Sequence, residues 1–271
     1  MSAWGSARIG ACALAFFALL CLPATPADSA PPQSAPLSTA AAGPHPVLIE
    51  LFTSEGCSSC PPADILLEKL DVHQPIAGAQ LIVLSEHVDY WDHDGWKDPN
   101  SSALLTERQS DYERELGRDS PYTPQMIIDG TTEPQMNQPL LLEQVLVKAR
   151  DVPMIPMRIA DVTIESATLR AHIEAGANFD KHNADVYVAV ALDRVESQVL
   201  RGENGGKHLT HVAVVEELRK IGRLPQGKSF AGDVALKLKP GTDPKNIRVV
   251  AFVQEPGPGK VLGSVERKPT S

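Results

Sequence analysis

Cysteine is scarce in this chain of 271 residues: there are four, and Cys12 and Cys21 fall in an N-terminal segment with the marks of a secretion signal. A disulfide framework is not needed, because a chain of this length can bury a packed core without one. Long apolar runs are missing as well. Ile9 to Leu22 is too short for a comfortable membrane span, and no later segment approaches about 18 uncharged apolar residues, so no membrane span is expected. Basic charge is in deficit, with a formal net charge of −9, which argues against nucleic acid or anionic lipid as partners. There is no internal repeat, no second CxxC, no HxxxH pair, no serine-nucleophile elbow, no dinucleotide fingerprint and no EF-hand loop.

The apolar run Ile9 to Leu22 follows Arg8 and precedes small residues and prolines, the pattern of a signal peptide assigned to residues 1–30. Removing it deletes one Arg and one Asp, so the net charge is unchanged. A secreted or periplasmic protein is expected. A lipid anchor at Cys21 is not, because Leu20 stands where such signals carry a small residue. Residues 31–45, rich in Ala, Pro and Ser, read as a flexible linker.

The remaining thiols lie in Leu51-Phe52-Thr53-Ser54-Glu55-Gly56-Cys57-Ser58-Ser59-Cys60-Pro61-Pro62. An apolar strand at Val47 to Phe52 precedes them and a helix to about Leu70 follows. A CxxC there exposes its first sulfur at a helix N-terminus, where the macrodipole favours thiolate. Thiolate is the attacking species in disulfide exchange. A four-residue loop removes little unfolded-state entropy, so redox or metal chemistry is favoured over a staple.

A further strand is expected at Ala79 to Leu84, and Tyr122 to Gly130 reads as a turn, a strand and then the Asp129-Gly130 hairpin signal, with Thr131 to Met136 as the returning strand. Helices are expected over Ser101 to Leu116 and Leu140 to Ala149. From Pro153 the texture changes to short alternating segments: Met157–Ile164, Thr168–Ala175, Asp185–Leu192, Val195–Leu200, Ser229–Leu238, Ile247–Gln254 and Val261–Val265. Gly202 to Gly206 reads as a turn, and His208 and His211 as surface or core residues. These patterns predict an α/β redox domain over 46–152, followed by an all-β sandwich-like domain over 153–271.

A strand, CxxC and helix followed later by Thr123-Pro124 opening a strand resembles the thioredoxin-like superfamily. The runs Glu50 to Asp64, His87-Val88-Asp89-Tyr90-Trp91 and Tyr122-Thr123-Pro124-Gln125, with Gly202 to Lys207, are similar to a family of secreted bacterial thioredoxin-like proteins catalogued as a domain of unknown function. The resemblance extends from Pro46 to the C-terminus. It implies a thioredoxin-like fold for the first domain, a cis peptide at Pro124 beside the two sulfurs, and a Thr123 backbone that binds an extended substrate. It also suggests that Glu50 moves the proton of Cys60, the alternative for Glu50 being a solvent-facing or capping charge. The Ser58-Ser59 dipeptide departs from the best-known redox members.

The expected activity is thiol-disulfide exchange, with Cys57, Cys60, Thr123, Pro124 and Glu50 at the site and no cofactor beyond the redox-active disulfide. Its partners would be a protein or peptide thiol or disulfide and a recycling redox partner, acting on a monomer. One alternative is copper or zinc binding through Cys57, Cys60, His87 and His93. Against it, the His87 to Trp96 run also reads as a loop folded over the site by His-to-carboxylate and Trp contacts. Another alternative is a non-catalytic interaction module.

Overall fold

Apolar residues at alternate positions of a strand enter opposite faces of its sheet, and β1 (His45–Thr53) uses both. Val47, Ile49 and Leu51 pack toward helices α1 (Pro61–His73) and α3 (Pro139–Arg150), while Leu48 and Phe52 pack on the side of α2 (Ala103–Glu115). Strand β2 (Ala79–His87) runs parallel to β1 from His45↔Ala79 to Thr53↔His87, with α1 as the crossover. On the other edge of β1, β3 (Gln125–Ile128) pairs antiparallel. This computed structural model describes residues 43–269 together with Met1 and Trp4. The predicted signal segment, apart from those two residues, and most of the predicted linker lie outside the described residues.

Beyond α3 come β4 (Met157–Glu165), β5 (Thr168–Ala175), β6 (Ala184–Gln198), β7 (His208–Leu224), β8 (Phe230–Lys237), β9 (Ile247–Gln254) and β10 (Val261–Arg267). One seven-stranded mixed sheet has the order β10-β9-β6-β7-β2-β1-β3, and a three-stranded sheet has the order β4-β5-β8. The small sheet packs on the β6, β9 and β10 end of the large one around Leu169, Ile173, Val186, Val188, Val249 and Val253.

The expected α/β thioredoxin-like domain followed by an all-β sandwich-like domain is therefore corrected. The break in texture does fall in the α3 to β4 connection, but the sheet does not stop there. β7 runs parallel beside β2, with Ser85 opposite Val214, so strands from both segments share one sheet. The physical reason is edge pairing. A sheet ending at β2 would leave a row of unpaired backbone groups, and β7 covers that edge. β7 escaped sequence reading because its second half, Glu216-Glu217-Leu218-Arg219-Lys220, is dominated by charge.

Two smaller expectations also change. Thr131 to Met136 is not a strand; a lone bridge joins Ile128 and Thr132, and β3 takes β1 as its partner. Pro134 removes a ladder donor from that segment. The two strands expected over Asp185–Leu192 and Val195–Leu200 are one continuous β6, because β7 pairs with it along its whole length. Among the described residues, no helix is long and apolar enough to cross a membrane.

Candidate functional site

The turn after β1 carries the cysteines. Cys57 N–H donates to Ser54 O at 3.2 Å, Cys60 N–H to Cys57 O at 3.2 Å, and Ala63 N–H to Cys60 O at 2.8 Å, so Cys60 is the residue from which α1 starts. Pro61 and Pro62 occupy the first turn, where missing N–H groups cost little. Cys57 and Cys60 form a disulfide with their Cα atoms 5.4 Å apart. Cys57 Sγ lies 3.4 Å from the Ser59 hydroxyl. Because both prolines lack an N–H, that hydroxyl and the helix dipole are the groups at hand to favour a Cys57 thiolate.

Thr123–Pro124 is a cis peptide. Pro124 lines a groove of about 510 Å³ together with Ser59, Pro62, Leu66, Tyr122 and Met136. Trp91 ties this wall to the cysteine turn: its Nε1 donates to Thr123 Oγ1 at 2.7 Å, and its backbone and Cβ sit so close to Gly56 that an added Cβ would lie 3.0 Å from Trp91 Cβ.

The β6 to β7 connection closes over the turn from the other side. Asn204, fully buried, donates from Nδ2 to the carbonyls of Glu55 at 2.8 Å and Cys57 at 2.9 Å, while its Oδ1 accepts from Lys207 Nζ at 2.8 Å. Ser58 N–H donates to Glu203 at 3.2 Å. Both cysteines are 0% exposed.

Within the same layer lies a cluster of ionisable groups. The pleat turns Ser85 and His87 toward the α1 face of β2. His87 Nδ1 is 2.7 Å from Asp98 Oδ2, which also accepts the Glu55 N–H at 2.8 Å. Burial alone would lower the His87 pKa, but the Asp98 charge and hydrogen bond outweigh it and hold it above the usual value. Burial would likewise raise Asp98, yet His87 and the N–H groups of Glu55 and Asn100 hold it down at about 2. The His211 ring meets His87 edge to face, with centroids 4.6 Å apart. Its Nε2 is 3.8 Å from Glu55 and its Nδ1 is 3.7 Å from Asp64. Trp96 Nε1 donates to Glu55 at 2.8 Å, and Thr53 Oγ1 to Asp64 at 2.9 Å.

The expected site residues divide between the two faces. Pro124 lines the groove together with Ser59, while Cys57 and Cys60 lie buried in the turn beside it and Thr123 is held by Trp91. Glu50 is buried but faces α2 rather than α1: Arg108 Nε donates to it at 2.6 Å and Tyr112 Oη also donates to it. Beside this pair, burial first and the Glu50 charge second push the Glu86 carboxyl well above its ordinary pKa, against the opposing Arg108. His93 is exposed and does not join Cys57, Cys60 and His87. Instead Asp89 accepts from Thr106, and Asp92 accepts from Ser101 and the Asp98 N–H, so the loop is held by its own carboxylates. Among the described residues, the three ligand-type groups with atoms within 4.8 Å of one another are Asp180, His182 and Glu255. Sequence reasoning missed Glu55, Asp64, Asp98, Asn204 and His211. The first two lay in the CxxC run already singled out, and Asn204 lay in a segment read only as a turn.

Among solved structures, the crystal structure of protein AGR_C_4864 from Agrobacterium tumefaciens aligns with a TM-score of 0.63 and 26% identity, covering 83% of this chain and 96% of that one. A domain of the outer membrane lipoprotein Omp28 from Porphyromonas gingivalis aligns with a TM-score of 0.29 and 14% identity, over 43% of this chain and 88% of its own length. No curated protein matches the chain. Residues 48–254 match the model of the family described as "Protein of unknown function (DUF1223)", and the chain belongs to that family.

Proposed function

We propose that this protein is a thiol-disulfide oxidoreductase working outside the cytoplasm, with Cys57–Cys60 as its redox couple and a protein or peptide disulfide as its substrate. The observation that carries the reading is local: a CxxC disulfide starts a helix whose Ser59 and Pro62 line a groove together with Pro124 of the Thr123–Pro124 cis peptide. That pairing is of the thioredoxin type at the level of the site. The secretion signal read in the sequence supports an oxidising compartment, where such a couple can turn over.

In the reducing direction the Cys57 thiolate attacks a substrate disulfide, forming a mixed disulfide and releasing one substrate thiolate. Cys60, as thiolate, then attacks Cys57 sulfur, closing the Cys57–Cys60 bond and releasing the second substrate thiolate. The protein loses two electrons and the substrate gains them. A dithiol partner restores the reduced state. The groove beside Ser59 and Pro124 holds the segment flanking the substrate sulfur, with Pro62, Leu66 and Met136 as an apolar floor.

Equilibration in glutathione buffers followed by thiol trapping tests the reading. A reduction potential between about −120 and −270 mV is expected, the span of exchange catalysts. A value below about −300 mV marks a disulfide too stable to turn over and overturns the reading. Cys60→Ser should accumulate mixed disulfides with substrate proteins, and Cys57→Ser should form none.

A further inference from the structure

His211 is fully buried and neither of its ring nitrogens has a hydrogen-bond partner; His87 Nε2 and Asp64 Oδ2 are in the same condition. Unsatisfied buried polar atoms are rare, and four together on one side of one sheet call for an explanation. The placement is specific. Glu55 stands two residues before Cys57 and Asp64 four residues after Cys60, and the His211 ring lies between their carboxylates, at 3.8 and 3.7 Å. Asp64 belongs to the first turn of α1, its N–H donating to Cys60 O at 3.2 Å. The ring thus spans the two ends of the segment that carries the disulfide.

Two carboxylates face the imidazole, one from each side. The groups around it come from every neighbouring element: Glu55 from the cysteine turn, Asp64 from α1, His87 from β2 with Asp98 hydrogen-bonded behind it, and Lys207 held on Asn204 at the start of its own hairpin strand. Resolution of a mixed disulfide needs the Cys60 proton removed, and Cys60 is 0% exposed in the disulfide form.

Resting on the exchange reading above, we propose that His211, held between Asp64 and Glu55, is the proton carrier for Cys60. As the disulfide closes, the Cys60 S–H bond breaks and its proton passes to neutral His211. The Cys60 electron pair then forms the bond to Cys57 sulfur, and the Cys57–substrate bond breaks with its pair leaving on the substrate thiolate. The imidazolium later releases its proton to solvent or to that thiolate. When the disulfide is opened by a dithiol partner, the same proton path runs backwards.

The test uses the reduced protein mixed with oxidised glutathione, with samples acid-quenched, trapped and weighed by intact mass. Formation of the Cys57 mixed disulfide and its resolution by Cys60 are then separate rates. In His211→Gln, resolution should slow by at least tenfold at pH 7, within the span of general-base effects, and should rise about tenfold per pH unit between pH 6 and 8. Formation should change less than about twofold. Asp64→Asn should slow resolution in the same direction by a smaller factor, and it carries the comparison if His211→Gln does not fold. Resolution with wild-type rate and pH profile in the folded variants would overturn the proposal, as would an equal slowing of both steps. Stoichiometric zinc held by wild type and lost in His211→Gln would replace proton transfer with ligation and overturn it too. A wild-type protein that forms no mixed disulfide removes the exchange reading itself, a result distinct from any of these.

Discussion

Asp129 is a carboxyl with one oxygen engaged and one idle: Oδ1 accepts the Leu48 N–H at 2.9 Å, and buried Oδ2 has no partner. Burial raises its pKa, the Leu48 hydrogen bond opposes that, and the Glu50 charge adds to the rise, leaving it at about 7. In the unfolded chain it titrates near 4. Between those values the folded protein holds a proton that the unfolded one has lost, so stability falls as pH rises from about 4 to about 7 and is then level. Asp129→Asn keeps the oxygen that Leu48 uses and suits the positive φ of 45°. It should flatten that slope and stabilise the protein at pH 8 by on the order of 2 kcal/mol, read from urea unfolding at several pH values. Parallel slopes in wild type and variant would place the pH dependence elsewhere. Glu50, on the α2 face, teaches a related lesson. A charge inside an apolar strand was visible in the sequence, but which sheet face it took, and hence its pairing with Arg108 rather than with Cys60, depended on the pleat and on a helix 58 residues away.

The β6 to β7 connection is the element that lies against the cysteine turn. Asn204 holds it down with two hydrogen bonds to the carbonyls of Glu55 and Cys57, and Gly202, at φ 72°, sits against the 94–96 segment where an added Cβ would be 3.0 Å from Asp94 O. On the proposed exchange reading, this strap lifts to admit a substrate sulfur. Losing two hydrogen bonds of about 1 kcal/mol each should favour the lifted state, so Asn204→Ala should speed reduction of Cys57–Cys60 by dithiothreitol by roughly five- to thirtyfold. The readout is thiol release over time at fixed dithiothreitol. An unchanged rate would mean that reductant enters from the Pro124 groove without moving the strap. The turn was legible from its glycines, whereas its contact with the cysteines was not, because a turn signal says where a chain reverses and nothing about what it covers.

At the scale of the whole molecule, β7 beside β2 makes one sheet of two stretches that differ in texture. The described residues 43–269 accordingly fall in one compact unit. Heat or urea should unfold that unit in a single transition, with far-UV circular dichroism and tryptophan fluorescence coincident, and residues 43–152 expressed alone should not fold, since the β2 edge and the faces met by β7 would be bare. Two separated transitions would restore the picture of independent domains. The amino-acid order alone was enough for β1, α1, β2, α2 and the strand after Thr123-Pro124, because each is a local pattern: a short apolar run, prolines in a first helical turn, a serine cap. It was enough, too, to single out Cys57 and Cys60. It could not reveal β7, whose charged second half hides a strand paired on both sides, nor bring Asn204 to Cys57 and His211 to Glu55 and Asp64 across some 150 positions. Those placements were decided when the free edge of β2 took a partner from the far half of the chain, for edge pairing and burial act through space and leave no periodic mark in the sequence.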